Sequence, residues 1–551
     1  MKKRKLLTVI MAVLLIFTGC SGGGNNQEAT GIGETDADKS LISQSEGNTD
    51  AIEKTTEATQ ADSQNETESS QSEIEPVQDI KITSGVADEY LSLDDLIHEF
   101  DDNGYSNILN KNDSELKQYM SSACTNTYSL TEAEEDSLLG SYSNRTVNVT
   151  ADRESAISDI HLYFKVLKSM YSLYNYWGSS NFEAAEENIV NSIPDTISSN
   201  DLTNLVRENL SFIEDGHFQF NGKGILDTCN SYIDKHFQFS KDENGYYTIA
   251  NTNEKLYLDS FSNPGVSMQY YLNDNGNIVY APGGEFVSAP ACTMQFTNCE
   301  AVDNNFSCLY NKKKDNSLWH VETDNMIFIH DGSFSSKKGS DQNQKLADLG
   351  AVAKDKDYIV LDIRGNGGGT ADGVVVFLDY VLNGYTSRSI GKVGTDQYHG
   401  VLSKTLDNML IRKISGNSGS KFSGNKVNTR EKSGSTVNYN DKTIVLLVDK
   451  GTASSGEEAL NMMYYINNTI VIGTSTAGAQ YTNNPYTMVL PETGMTVTIP
   501  AGVYRESNEN VERTGYVPDI YTDNSRASTS VANMLANYGK ISSAEAAQVS
   551  R

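Results

Sequence analysis

Apolar residues recur at helical spacing from Ile157 to Tyr176, through Ile160, Tyr163, Phe164, Val166, Leu167, Met170, Tyr171, Leu173 and Tyr174. A second helix is predicted over Phe182 to Ile193. A third, over Leu202 to Ile213, follows the capping pair Asn200-Asp201 and runs into Glu214-Asp215-Gly216-His217. These define a helical N-terminal domain at 86–225. Over 226–335 the pattern shortens to strands, with Asn244-Gly245 and Asn275-Gly276 as hairpin turns and Met326 to His330 as a further strand. Neither turn has the ligand spacing of a calcium loop. From about 340 strands and helices alternate, which predicts a largely parallel α/β core at 336–530. Its clearest strands are Asp357 to Arg364 and Thr443 to Val448, each followed by a turn and a helical stretch. Gly391 to Asn440 reads as a polar surface excursion with a short helix near Leu402 to Ile414, and 531–551 as a C-terminal tail.

The first twenty residues depart from this pattern. Lys2 to Lys5 precede an apolar run, Leu6 to Phe17, too short for an ordinary membrane span. The segment ends Phe17-Thr18-Gly19-Cys20 and resembles a bacterial lipoprotein processing box, with Phe17 where an aliphatic residue is usual. The resemblance implies cleavage before Cys20, lipid on its thiol and a cell-membrane anchor on the extracytoplasmic face. Residues 21–85 are polar and poor in apolar side chains, so they read as a disordered tether. The net charge of −30 argues against nucleic acid as a partner. Five cysteines besides Cys20 sit in a disulfide-permissive setting, without the spacing of a zinc site.

The candidate chemistry lies in the two strand–turn–helix segments. The first turn is Gly365-Asn-Gly-Gly-Gly-Thr370, where bare backbone can approach a negative oxygen. Thr370 stands where a dinucleotide fingerprint needs its third glycine. The second turn carries Ser454 just before a helix, so its hydroxyl lies near the positive helix end and the Ser455 N–H is a candidate oxyanion donor. The Gly-x-Ser-x-Gly pattern is absent, and an N-cap role is the simpler alternative for any one of these hydroxyls.

Taken together, five motifs in order resemble the C-terminal processing protease family and its tricorn-core relatives. They are the run ending Glu214-Asp-Gly-His217, the strand and turn Leu361-Asp-Ile-Arg-Gly-Asn-Gly-Gly-Gly369, Thr452-Ala-Ser-Ser-Gly-Glu457, Gly473-Thr-Ser-Thr-Ala-Gly478 and Gly515-Tyr-Val-Pro-Asp-Ile520. The Ser/Lys branch of the family carries a lysine where this chain has Ala479, followed by Gln480. The resemblance therefore implies the tricorn-like branch, with Ser454 as nucleophile, His217 as base and Glu512 orienting it. It also implies a crotonase-like α/β core, an oxyanion hole formed by the N–H groups of Ser455 and of Gly368 or one of its neighbours Gly367 and Gly369, and no metal or organic cofactor. A histidine base predicts activity rising with pH through a pKa near or modestly above ~6.5. Residues 226–335 stand where many relatives have a PDZ domain, but without its carboxylate loop. Lys450 is the alternative base. His320, His330 and His399 carry no ligand or dyad pattern, and Asp362, Arg364 and Glu457 read as structural.

These readings converge on a membrane-anchored serine endopeptidase acting on protein or peptide through an acyl-enzyme. The alternatives are a catalytically silent peptide- or wall-binding lipoprotein and an esterase-type acyl hydrolase. The oligomeric state is not legible.

Overall fold

Thr443-Ile-Val-Leu-Leu-Val448 is apolar at every position after the first, so it must be covered on both faces. A computed structural model of the chain places it inside a ten-stranded sheet. The structure describes residues 82–549 apart from 110–123, 125–126, 141–149, 251–252, 298, 312–314, 336–341, 383–399, 417–423, 434–440, 464–465 and 506–510. The signal segment with Cys20, nearly all of the tether, and His399 lie outside the described residues.

The sheet comprises β1 (Asn230–Ile233), β2 (Ser267–Leu272), β3 (Ile278–Phe286), β4 (Ser307–Cys308), β5 (Leu318–Glu322), β6 (Met326–Asp331), β7 (Tyr358–Asp362), β8 (Thr443–Val448), β9 (Thr469–Gly473) and β10 (Ile520–Thr522). Its order is β4-β1-β3-β2-β10-β9-β8-β7-β6-β5. Pairing is parallel from β6 through β7, β8, β9 and β10 to β2, and antiparallel at both ends.

Alternate side chains in these strands face opposite sides. Ile327, Ile359, Leu361, Ile444 and Leu446 pack with Phe377 and Leu378 of helix Asp372–Val381 and Leu460 of helix Ser455–Met463. Phe328, Val360, Val445, Leu447 and Ile472 pack on the other face with Val531 and Leu535. Each such burial is worth about 2 kcal/mol, which is why the central strands tolerate no polar alternation. Helices Ala527–Asn537 and Ser543–Val549 supply part of that second face through Val531, Leu535, Ala546 and Val549. The stretch 531–551 is thus largely a docked element rather than a tail.

The other expectations meet the structure unevenly. Both asparagine–glycine hairpins form, pairing Asp242 with Gly245 and Leu272 with Ile278. However, β1 to β4 extend the core sheet, while Ser240–Asp242, Gly245–Ile249, Lys255–Phe261, Thr293–Phe296 and Cys299–Asp303 form a separate five-stranded sheet. The stretch 226–335 therefore shares hydrogen bonding with the core. The five described cysteines, Cys124, Cys229, Cys292, Cys299 and Cys308, are free thiols.

The N-terminal helices are Arg153–Met170, Ser179–Ser192 and Ser199–Asn209, the last capped by Ser198 rather than by Asn200-Asp201. The first stops at Tyr171, whose backbone turns extended. Ile160, Leu167, Phe182 and Val206 pack over Val497, Ile499 and Val503. The latter belong to strand Thr496–Arg505 in a six-stranded sheet that also holds Gly400–Asp407 and Thr482–Val489. Gly400–Asp407 corrects the helix expected from Leu402: strands bond it on both sides, and only Met409–Ile414 is helical. Tertiary pairing overrides a weak local pattern there.

Candidate active site

The glycine turn and the serine turn are stitched into one unit. Asp449, at the end of β8, accepts the N–H groups of Gly365 and Gly451, each at 2.8 Å. Thr452 Oγ1 donates to the Ile363 carbonyl at 2.9 Å, and the Ala453 N–H donates to the Asn366 carbonyl at 2.9 Å. Beneath them Arg364 forks onto Asp362 at 2.8 and 2.7 Å and reaches the Asn524 carbonyl and the Ser528 hydroxyl. His330 Nδ1 stands 3.2 Å from the same carboxylate. The guanidinium and imidazole hold Asp362 far below the usual carboxylate range although it is buried. Asp362, Arg364 and His330 thus brace the turn from within the sheet.

Ser454 occupies the left-handed region at φ 54°, which is uncommon for a residue with a side chain. The bend lifts it out of line between strand and helix, and its hydroxyl makes no hydrogen bond among the described residues. Two side chains hold its backbone. The Ser454 N–H donates to Glu457 Oε2 at 3.0 Å, and Gln480 Nε2 donates to the Ser454 carbonyl at 2.8 Å. Glu457 is fully buried and also accepts the Thr476 hydroxyl and the N–H groups of Gly478 and Ala479. Its carboxylate therefore ties the Ser454 turn to the loop that carries Ala479 and Gln480. Burial raises its pKa, against the pull of these four donors. Lys450 Nζ is spent on the Thr476 and Ala477 carbonyls at 3.0 and 3.4 Å.

His217 comes to this loop from the other side. Its neighbour Gly216 must lack a side chain, because a Cβ there would lie 2.2 Å from the Gly478 carbonyl. His217 Nδ1 lies 3.3 Å from Thr482 Oγ1, which is 2.8 Å from Asp215 Oδ1. His217 Nε2 is sealed from solvent and has no hydrogen-bond partner. Burial pushes the imidazole pKa down to about 4, below the ordinary value expected from the sequence, so the ring is neutral at pH 7. His217 and Ser454 flank the same 478–482 loop, but no hydrogen bond joins them.

Glu512 lies beside this group in a different role from the one expected. Its carboxylate accepts N–H groups from Gly216, Gln480 and Tyr481 at 2.5, 2.7 and 2.6 Å, and makes no bond to His217. Through those three backbone donors it clamps the loops around the imidazole. The carboxylate that reaches His217 through one hydroxyl is Asp215. Burial pushes Asp215 up to about 6, and burial with the nearby Asp215 charge raises Glu512 well above the ordinary range.

Of the expected oxyanion donors, Ser455 opens its helix and has no intrahelical acceptor for its N–H. Gly368, at φ 94°, packs against Ser454 and Ser455 so closely that a Cβ would lie 2.8 Å from each. Its N–H, however, already donates to Asn366 Oδ1 at 3.0 Å. The Gly367 and Gly369 N–H groups make no such bond among the described residues, and Ser455 Oγ holds the Gly369 carbonyl at 3.1 Å. Among the described residues the Gly368 N–H is thus engaged, while those of Gly367 and Gly369 are not.

Residues 326–522 match the model of peptidase family S41. No curated protein matches the chain. Solved structures overlap it loosely: mature CPAF at 10% identity and TM-score 0.35, covering 72% of this chain and 98% of that one; the photosystem II D1 C-terminal processing protease at 12% and 0.28, covering 68% and 94%; and the tricorn protease at 13% and 0.31, covering 72% and 37%. The family match, and not these overlaps, bears on function.

Proposed function

We propose that this chain, a serine peptidase of the S41 type, cleaves peptide bonds with Ser454 as nucleophile and His217 as base, anchored through Cys20 on the outer face of a membrane. Ser454 Oγ adds to the peptide carbonyl while His217 Nε2 takes its proton. The C–N bond then breaks, and the same proton passes to the leaving amine. Water, activated at the same nitrogen, hydrolyses the acyl-enzyme. The Ser455 N–H and an N–H of the glycine turn receive the oxyanion beside a helix N-terminus. The core then has the crotonase-like arrangement that the resemblance implies.

The observation that carries the reading is Ser454 held at φ 54° against the glycine turn, across one loop from a sealed, unpartnered His217 Nε2. His217 Nε2 is kept free in a region where every buried carboxylate and hydroxyl named above is bonded. A fluorophosphonate probe should label the wild-type protein and not Ser454→Ala, which should also lose peptide hydrolysis. Labelling or turnover surviving in Ser454→Ala sinks the assignment. For the anchor, Cys20→Ala should move the protein out of the membrane fraction, and an unlipidated mature N-terminus elsewhere would refute it.

A further inference from the structure

We infer that Asp215 and Thr482 form the relay that fixes the tautomer of His217, with the Thr482 hydroxyl as its link and Asp215 as its charge. The inference rests on His217 serving Ser454 as base. Thr482 Oγ1 carries one proton and stands between two groups, 2.8 Å from Asp215 Oδ1 and 3.3 Å from His217 Nδ1. An ionised Asp215 has no proton to give, so the hydroxyl must donate to it. The hydroxyl oxygen is then left to accept, and the proton of the neutral imidazole is placed on Nδ1. The lone pair falls on Nε2, the atom that is shielded and unpartnered. Asp215 and Thr482 are thus positioning residues, acting through the imidazole.

The surroundings of Asp215 favour this direction. Its Oδ2 accepts the Tyr171 hydroxyl at 3.0 Å, and Trp177 Nε1 donates to the Tyr171 oxygen at 3.1 Å, which turns the Tyr171 proton toward Asp215. Asp215 Oδ1 also accepts the His217 backbone N–H at 3.0 Å. Donors converge on it from the end of the first N-terminal helix, from strand Thr482–Val489 and from its own turn. Burial raises Asp215, and the Asp215 charge in turn raises the neighbouring Glu512. Protonation of Asp215 reverses the relay. The acid O–H then donates to Thr482, whose hydroxyl turns to Nδ1, and the ring proton moves to Nε2, where it blocks the transfer from Ser454. The relay adds an acid limb near pH 6, where the Asp215 carboxyl titrates, to the loss of His217 basicity at lower pH.

The test pairs kinetics with a readout of the tautomer. In full-length protein with 15N-labelled histidine, assigned with His217→Gln, His217 should carry its proton on Nδ1 at pH 8 and shift to Nε2 as pH falls through about 6. Thr482→Val should lower kcat about 100-fold with KM nearly unchanged. Thr482→Ser, which keeps the hydroxyl, should restore most of the activity. Asp215→Asn should lower kcat and abolish the limb near pH 6. An Nε2-protonated ring in the wild type at pH 8 overturns the relay without any variant having to fold. So does Thr482→Val with unchanged kcat. The expected tautomer switch in a protein that neither labels nor hydrolyses would support the relay and refute the peptidase assignment of Ser454, so the two failures are distinct.

Discussion

Replacing Glu457 by glutamine probes the Ser454 turn without changing its volume. The carboxylate serves four donors: Oε2 takes the Ser454 and Ala479 N–H groups at 3.0 and 2.9 Å, and Oε1 takes the Gly478 N–H and the Thr476 hydroxyl at 2.7 and 2.6 Å. An amide has one acceptor oxygen. Placed in the Oε2 position, that oxygen keeps Ser454 and Ala479, and the amide nitrogen can donate to a reoriented Thr476 hydroxyl. The Gly478 N–H is then left opposite another donor. In the reverse orientation two N–H groups are orphaned. One buried unpaired donor costs about 1–3 kcal/mol, and exchanging two charge-assisted bonds for neutral ones costs roughly 1 kcal/mol each. Relief of burying a charge offsets part of this. The net expectation is a loss of ~2–4 kcal/mol, concentrated where Ser454 is held at φ 54°. A displaced nucleophile should slow fluorophosphonate labelling about 10- to 100-fold. The assay is urea unfolding alongside the labelling rate. A Glu457→Gln protein with wild-type stability and labelling would show that this carboxylate does not hold the turn.

Ser454→Gly should raise stability by about 1 kcal/mol, because glycine adopts the left-handed backbone without strain and no hydrogen bond of the hydroxyl is lost, while labelling disappears. A variant less stable than the wild type would mean that the backbone there is unstrained. Buried Asp519, whose Oδ2 accepts the Val471 N–H at 2.7 Å, is pushed up to about 7 by burial. A carboxyl raised in the folded state gives stability that is present below its unfolded pKa of about 3.9 and is lost as pH rises through its folded value, here on the order of 4 kcal/mol once fully ionised. Melting temperature should therefore fall between about pH 4 and 7, and Asp519→Asn should flatten that fall; an unchanged slope in the variant would refute the attribution.

Much of the core was legible because its signals are local. The apolar run at Thr443–Val448 is a strand over those same residues, and the glycine and serine turns lie where the punctuation put them. The motifs also pointed to His217 and Ser454, which do flank one loop. What was not legible depends on long-range pairing. Thr482 opens an ordinary strand and sits 265 residues from His217, so nothing in its own neighbourhood marks its hydroxyl. Glu512 was singled out among three nearby glutamates by its motif, but whether it meets a side chain or backbone N–H groups is decided by loops remote in sequence. Asp215 was quoted as part of a motif and given no role, because an acidic residue before Gly-His resembles any helix-end carboxylate. Strand Gly400–Asp407 and the docked C-terminal helices were missed for the same reason: their partners lie far along the chain.

The path of the chain through the site has a consequence for biosynthesis. Asp215 and His217 are made early, Ser454 and Thr482 late, and Glu512 later still. The short strand β10 then enters between β2 and β9 and alone joins the two halves of the large sheet. A nascent chain made only as far as Thr482 holds Ser454 without the Glu512 clamp beside His217 and without the strand that unites the sheet. On the proposed reading, competence to cut arrives only once β10 has been made, and a chain stopped before Glu512 is no threat to its neighbours or to itself.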